Sequence, residues 1–440
     1  MFEVSKGWGA RRARGIVALV AVVAAGLLVS ACLPASAANV RVRHTLFGMH
    51  DGTGDSSSFQ HLHEGAVRLW DVGVQWQQVE TSRGHYSWAR LDQLVSQAQA
   101  AHAEVTMVVA LTPHFYAARP TDPPRSVDPY RAFVRALMKR YRSFHGHRGI
   151  AAYQVWNEAN ISTFWTGSAL QLARLTRAMD HVRDHVDPGA KVIAPPMVTR
   201  LRYQLDGLSR YYHQRLGGVP VWRYVDAVAL SLYPLPTYGR RLGVPEDAIR
   251  QLGVAERRLR GAGVPRSKAI WNTEINYGLQ SGSQGGTSAR RISESRQAAN
   301  VVRTYLLNAA AGVKRVFWYR YDMHRLPGGG SLSNTLLSAL DSPDSVTGAG
   351  RAYLRAQRWM HGTLLGPRHG RPCRADRHGT HRCVIRDATG RRYVYWNPFH
   401  AARVRLPKGV HHLQGVLGAV STIQPGSTLK VGYKPVMVGR

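Results

Sequence analysis

Acidic residues are scarce in this chain of 440 residues: 26 Asp and Glu face 59 Lys and Arg, a formal net charge of +33. Lysine is scarcer still, eight of those 59, so arginine carries the charge. Such a field favours anionic partners: a cell-wall polymer, a lipid headgroup surface or an acidic glycan. Arg-rich codon usage produces the same bias with no partner at all. Nucleic acid is set aside, because the chain has no helix-turn-helix, zinc-finger or RNA-binding signature. Also missing are a P-loop, a Ser-His-Asp elbow, a His-Glu-x-x-His pair and any cluster of metal ligands, so neither cofactor nor metal is expected.

Long apolar runs are equally rare. One stretch, Gly15 to Val29, follows the basic head formed by Lys6, Arg11, Arg12 and Arg14. It falls short of the roughly 20 residues of a membrane span and reads as an export signal over residues 1–37. Two cleavage sites compete. Ala35-Ser36-Ala37 suits ordinary secretion, whereas Val29-Ser30-Ala31-Cys32 resembles a lipobox that would acylate Cys32 and anchor the chain peripherally to a membrane. Val29 fits the lipobox less well than leucine, which favours the soluble form. Losing the signal removes four basic residues and one acidic residue and leaves +30. Only three cysteines occur. Apart from Cys32 they are Cys373 and Cys383, whose spacing around a Gly-Thr turn suits a disulfide-closed hairpin; His378 and His381 between them keep a zinc site as the alternative.

What is present is alternation. Short apolar runs at His44–His50, Gly65–Trp70, Glu104–Ala110, Ala151–Trp156, Ala190–Pro195, Val225–Leu232, Lys268–Thr273 and Val313–Tyr319 read as strands. Helical periodicity fills the intervals, clearest at Ala89–His102, Tyr130–Tyr141, Ser168–Val186, Pro245–Gly261 and Ser293–Ala311. Strand–helix alternation eight times over predicts a (β/α)8 barrel across residues 40–362, closing with a helix at Gly350–Trp359. A doubly wound open sheet would want a Gly-rich turn after its first strand, and Gly48-Met49-His50-Asp51-Gly52 is not one. From about Gly366 to 440 the pattern changes to short alternating runs split by turns, a small all-β domain resembling a sandwich. That segment holds 14 basic and two acidic residues.

Two stretches carry the chemistry. Trp156-Asn157-Glu158 ends the fourth strand and Trp271-Asn272-Thr273-Glu274 the seventh. Barrel sites are built at the C-terminal ends of strands, and strands four and seven face each other across the mouth. Splitting an acetal needs one carboxyl that holds its proton and one that stays ionised, roughly 5 Å apart in a retaining enzyme. A lone glutamate in so basic a chain is more often an arginine's partner; two in matched settings point to acid–base and nucleophilic work.

On these motifs the chain resembles clan A glycoside hydrolases, closest in texture to family 39, with family 5 as neighbour. The resemblance implies Glu158 as general acid/base, Glu274 as nucleophile and Asn157 as the group bonding the sugar 2-hydroxyl. Val67-Arg68-Leu69-Trp70 matches the second strand, where Arg68 would sit beside the nucleophile. Thr112-Pro113-His114 resembles the end of the third strand, leaving His114 either a sugar contact or a core histidine. Asp226 to Pro234 resembles the sixth strand, whose Tyr233 would bond the nucleophile, and Trp318 falls where the clan stacks an aromatic under the sugar. Many relatives have histidine where this chain has Ser231. Arg68 would keep Glu274 ionised, while burial and the charge of Glu274 would raise the Glu158 carboxyl. Arg68 could instead be a barrel cation paired with Glu64 or Asp71. Trp76, Phe115, Tyr116, Trp165 and Tyr277 are candidate sugar platforms. The implied activity is a secreted or envelope-bound retaining glycosidase acting on a carbohydrate, neutral or acidic. The rivals are a non-catalytic carbohydrate-binding protein on the same barrel and a charge-held anchor to an acidic wall polymer.

Overall fold

Strands buried on both faces need continuous apolar runs, and Val, Ile and Ala supply them here. The computed structural model describes residues 39–50, 57–234, 243–277, 292–321, 338–339, 342–367 and 370–440. The expected signal, Cys32 included, lies outside the described residues. Eight parallel strands run β1 Phe47–Met49, β2 Ala66–Leu69, β3 Glu104–Val109, β4 Ala152–Val155, β5 Lys191–Ile193, β6 Ala227–Ser231, β7 Ala269–Ile275 and β8 Arg315–Trp318. Each pairs with the next and β8 pairs with β1, so the sheet closes into the expected barrel.

A helix follows each strand: α1 Ser57–Leu62, α2 Ala89–Ala100, α3 Asp128–Tyr141, α4 Ala169–Val186, α5 Arg202–Tyr212, α6 Pro245–Gly261, α7 Glu294–Ala310 and α8 Gly348–Met360. Local chemistry starts several of them. Ser168 caps α4 with Gln171 reaching back, Ser293 caps α7, and α3 opens with Pro129. The buried face of α3, namely Tyr130, Phe133, Val134, Leu137, Met138 and Tyr141, has the 3.6-residue spacing that presses a helix onto a sheet.

Ala66, Ala152, Ala227 and Ala229 leave room in the barrel base for Trp271 and Phe317. Gly48 belongs to that packing, since a Cβ there would lie 2.6 Å from Phe317 Cδ1. The tandem Pro195-Pro196 stops β5 early, and Met197–Val198 resumes pairing beside the end of β6.

The second unit is an antiparallel sheet built around the hairpin His381–Asp387 and Gly390–Trp396. Val436–Gly439, His412–Gly415 and Val420–Thr422 extend one side. On the other side it recruits Thr363–Leu364 and, from the far end of the chain, Val40–Arg41. A ribbon of Ala402–Arg405 with Thr428–Val431 packs on one face over Tyr395, Leu406, Val410 and Val438. Cys373 and Cys383 are disulfide-bonded, closing the short hairpin around Gly379-Thr380.

Trp396 joins this unit to the barrel. It is buried against the barrel, where its Nε1 donates to Glu246 Oε1 at 2.7 Å. Glu246 also takes Arg303 on both oxygens, and that guanidinium holds its carboxyl below the usual range although burial pushes upward. Replacing Glu246 with alanine strands the fully buried Arg303 charge and leaves Trp396 without an acceptor. Urea denaturation is expected to show a loss of about 3–5 kcal/mol; a loss below about 1 kcal/mol would mean the network carries no stability.

Candidate active site

The β4 end is built by a strained turn. Trp156 and Glu158 take φ of 60° and 35°, the left-handed region that non-glycine residues enter at a cost of about 1–3 kcal/mol. Surrounding bonds hold the turn. Trp156 is buried, donates Nε1 to the Phe164 carbonyl at 2.6 Å and packs edge-on against Trp165. Asn160 donates to the Val198 and Gln204 carbonyls and accepts from the Val198 amide, tying the turn to the β5–α5 connection. Glu158 is left 9% exposed.

The β7 end is built by a bulge. Leu230 pairs with Asn272 but Ser231 pairs with Glu274, so Thr273 is an extra residue on that strand. A bulge re-aims the side chains beyond it, and Glu274 meets Arg68 and Tyr233. His50 Nε2 lies 3.0 Å from the Thr273 carbonyl, and since a carbonyl only accepts, that nitrogen carries the proton. Burial first, then the Arg68 charge, drives the His50 pKa down, so the ring is neutral and fixes the bulge.

Arg68 is the hub. Its Nε donates to Gln154 Oε1 at 2.7 Å, one terminal nitrogen to Asn157 Oδ1 at 2.7 Å and the other to Glu274 Oε2 at 3.2 Å. Neither Glu64 nor Asp71 is its close partner; Asp71 instead accepts from the Tyr319 hydroxyl at 2.7 Å. Because Asn157 Oδ1 faces a guanidinium, its amide nitrogen is the end left to donate elsewhere. Tyr233 donates to Glu274 Oε1 at 2.7 Å, giving that carboxylate two donors.

Burial raises both carboxyls. Glu158 rises despite the Ser231 hydroxyl, Arg200 and Arg68, which act in the other direction. Ser231 Oγ is itself buried and makes no hydrogen bond within normal distance, so its influence is that of a nearby dipole. Glu274 is pushed up to about 8, by burial and then by the charge of Glu158, against the pull of Arg68 and Tyr233. Burial thus works against the ionised Glu274 that Arg68 and Tyr233 favour, and at this depth desolvation outweighs one cation. Two carboxyls so coupled share one proton near neutrality. The donors on Glu274 favour its anion, which leaves the proton on Glu158.

Arg200 is exposed beside this pair, its guanidinium 5.8 Å from the Tyr233 ring centre. Replacing Arg200 with glutamine is expected to raise the Glu158 carboxyl further, since a positive charge favouring the anion is lost. Carbon-13 titration of the Glu158 side chain reads this directly, and a downward shift would contradict the arrangement.

Several aromatic expectations change. Trp318 is fully buried against Tyr277, ring centres 5.9 Å apart, because Phe317 points into the barrel and strand alternation turns Trp318 outward. It has no exposed face to place under a sugar. Tyr319, the next inward residue, stands edge-on to His50 at 5.1 Å. Trp76, Trp165 and Tyr277 are core residues, and only Phe115 and Tyr116 keep part of their rings exposed, with Arg83 4.8 Å over Tyr116. His114 is exposed, edge-on to Phe115, and no hydrogen bond joins it to either glutamate among the described residues. Sequence reasoning missed His50, Gln154, Tyr319 and Arg200. His50 and Tyr319 stood at the ends of expected strands β1 and β8, where a search for polar groups would have found them.

No family model matches the chain, and no curated protein matches it. Solved structures do. A glucosidase from Croceicoccus marinus aligns with a TM-score of 0.65 at 12% identity, over 91% of this chain and 96% of the other. A family 39 glycoside hydrolase from Bacteroides cellulosilyticus WH2 aligns with a TM-score of 0.66 at 16% identity, over 90% and 81%. A family 51 arabinofuranosidase from Xanthomonas axonopodis pv. citri aligns at 0.58 and 10% identity, over 92% and 98%. Coverage of 90–92% of this chain extends the likeness into the C-terminal sheet. The chain has the two-part fold of these glycoside hydrolase structures, a closed (β/α)8 barrel with an antiparallel C-terminal sheet.

Proposed function

We propose that this chain is an exported glycoside hydrolase working by double displacement with retention. The observation that carries the reading is the Arg68 hub, which bridges Glu274 and the residue preceding Glu158, so two coupled buried carboxyls share one barrel mouth. An ionised Glu274 oxygen attacks the anomeric carbon while Glu158 gives its proton to the departing glycosidic oxygen. The C–O bond breaks and a glycosyl ester forms on Glu274. Glu158, now a carboxylate, takes a proton from water, whose oxygen displaces Glu274 and restores both groups. Asn157, oriented by Arg68, donates toward the sugar 2-hydroxyl, and Tyr233 holds the nucleophile's second oxygen in place.

Proton NMR of a chromogenic glycoside during hydrolysis tests the mechanism: the first anomer released matches the substrate, and an inverted anomer would overturn it. The Glu158→Ala variant is expected to lose about 10²–10⁴-fold in kcat/KM on a poor leaving group and little in kcat/KM on a nitrophenolate, which departs without a proton, while kcat falls on both because hydrolysis of the ester has lost its base. Equal losses of kcat/KM on both would remove Glu158 from the acid role. An exposed Arg200 beside the carboxyls, together with the charge of +33, favours a glycan bearing an acidic group. Turnover of neutral and uronate-bearing substrates at low and high salt tests that preference. The buried Cys373–Cys383 disulfide supports an oxidising destination outside the cytoplasm.

A further inference from the structure

The end of the barrel opposite the glutamates carries two adjoining clefts of about 340 and 410 Å³. They meet at Ala269 and Lys314 and are lined by the first residues of β5, β6 and β7. Arg315 and Arg371 line them too but are paired with Glu104 and Glu256; the remaining cations are Arg41, Arg43 and Lys191 in the first cleft, Arg260, Arg266 and Lys268 in the second, and Lys314 in both. The latter are all exposed or half-buried, and none takes part in an ion pair among the described residues. Two carboxylates line the clefts, and each is engaged: Asp226 by Arg183 and the Val192 amide, Glu256 by Arg371. The clefts thus gather unneutralised positive charge over low-dielectric walls, which focuses the field outward.

We infer that this basal double cleft is a second binding site, remote from the chemistry, for a flexible polyanionic chain bearing phosphate or carboxylate groups. The ligand class follows from shape and charge together. A planar bilayer cannot enter two concave clefts, whereas a chain can thread both and place successive anions against Arg266, Lys314 and Arg43. Guanidinium groups bind either anion bidentately, so phosphate and carboxylate polymers share the recognition chemistry. Such a site would hold the enzyme on an acidic polymer while the opposite face stays free for substrate.

The test titrates the full chain with polyphosphate, with polygalacturonate and with phosphatidylglycerol vesicles, by calorimetry at several salt concentrations. The variant Arg260→Glu/Arg266→Glu/Lys314→Glu is expected to weaken polymer binding at least tenfold and to flatten its dependence on log salt, with thermal unfolding unchanged. Which polymer shows the loss identifies the anion. A control with the same charge change at scattered exposed sites, Arg174→Glu/Arg210→Glu/Lys408→Glu, is expected to lose about threefold or less. Equal losses in both variants would overturn the site in favour of the overall charge. So would unchanged polymer binding in the first variant, or a loss confined to vesicles.

Discussion

Glu274→Ala is expected to lower kcat by roughly 10⁵-fold, the order of loss when a covalent nucleophile is deleted. The loss should fall on every substrate, whatever its leaving group, because no glycosyl ester can form. Azide, small enough for the vacated space, is expected to restore turnover and to release a glycosyl azide of inverted configuration. Unrescued loss with normal substrate binding would assign Glu274 an orienting role instead. The isosteric Glu274→Gln adds a thermodynamic check. In the folded protein this carboxyl is raised from 4.5 to about 8. The pair holds one proton near neutrality that the unfolded chain has already released, so the fold weakens as pH climbs through that window. At pH 7 the amide is therefore expected to raise the melting temperature, by about 2 °C for a chain this long, while abolishing activity. A lower Tm would show that Arg68 and Tyr233 stabilise the charge more than burial penalises it.

Arg68→Met is expected to cost both fold and function. The thioether fills much of the guanidinium's space but leaves Gln154 and Asn157 oxygens buried without donors, about 1–3 kcal/mol for each group so stranded. Glu274 loses the cation that favours its anion, so its carboxyl rises further, and the acid limb of the kcat/KM profile moves to higher pH. At neutral pH a loss of about 10³-fold or more is expected, from fewer ionised nucleophiles and a misplaced Asn157. Arg68→Lys should not rescue it, since one ammonium cannot reach three acceptors spread over the ends of β4 and β7. Recovery of wild-type rates by lysine would reduce Arg68 to a point charge.

Much of this was legible in the chain because it is local. Alternation of apolar runs with 3.6-residue periodicity is imposed by backbone geometry on each segment separately, so the eight strands emerged close to their observed limits. Glu158 and Glu274 were visible because Trp-Asn pairs precede both near strand ends. Trp318 went astray for an equally local reason: shifting by one position along a strand reverses the face, and Phe317, Trp318 and Tyr319 are all aromatic, so composition could not say which one looks inward. The strand Val40–Arg41 joining the C-terminal sheet had no signal, since two residues carry no period.

The sequence by itself determined the repeating strand–helix pattern, the all-β character of the last 75 residues and the placing of two glutamates at strand ends. Tertiary structure alone decided how they are aimed and protonated. The bulge at Thr273, the His50 contact that pins it and the Arg68 hub join residues from four strands, some more than 200 positions apart. The depth of burial that raises both carboxyls belongs to the closed barrel rather than to any segment of it. Desolvation and charge coupling depend on distance in space, and no local pattern of residues encodes that distance.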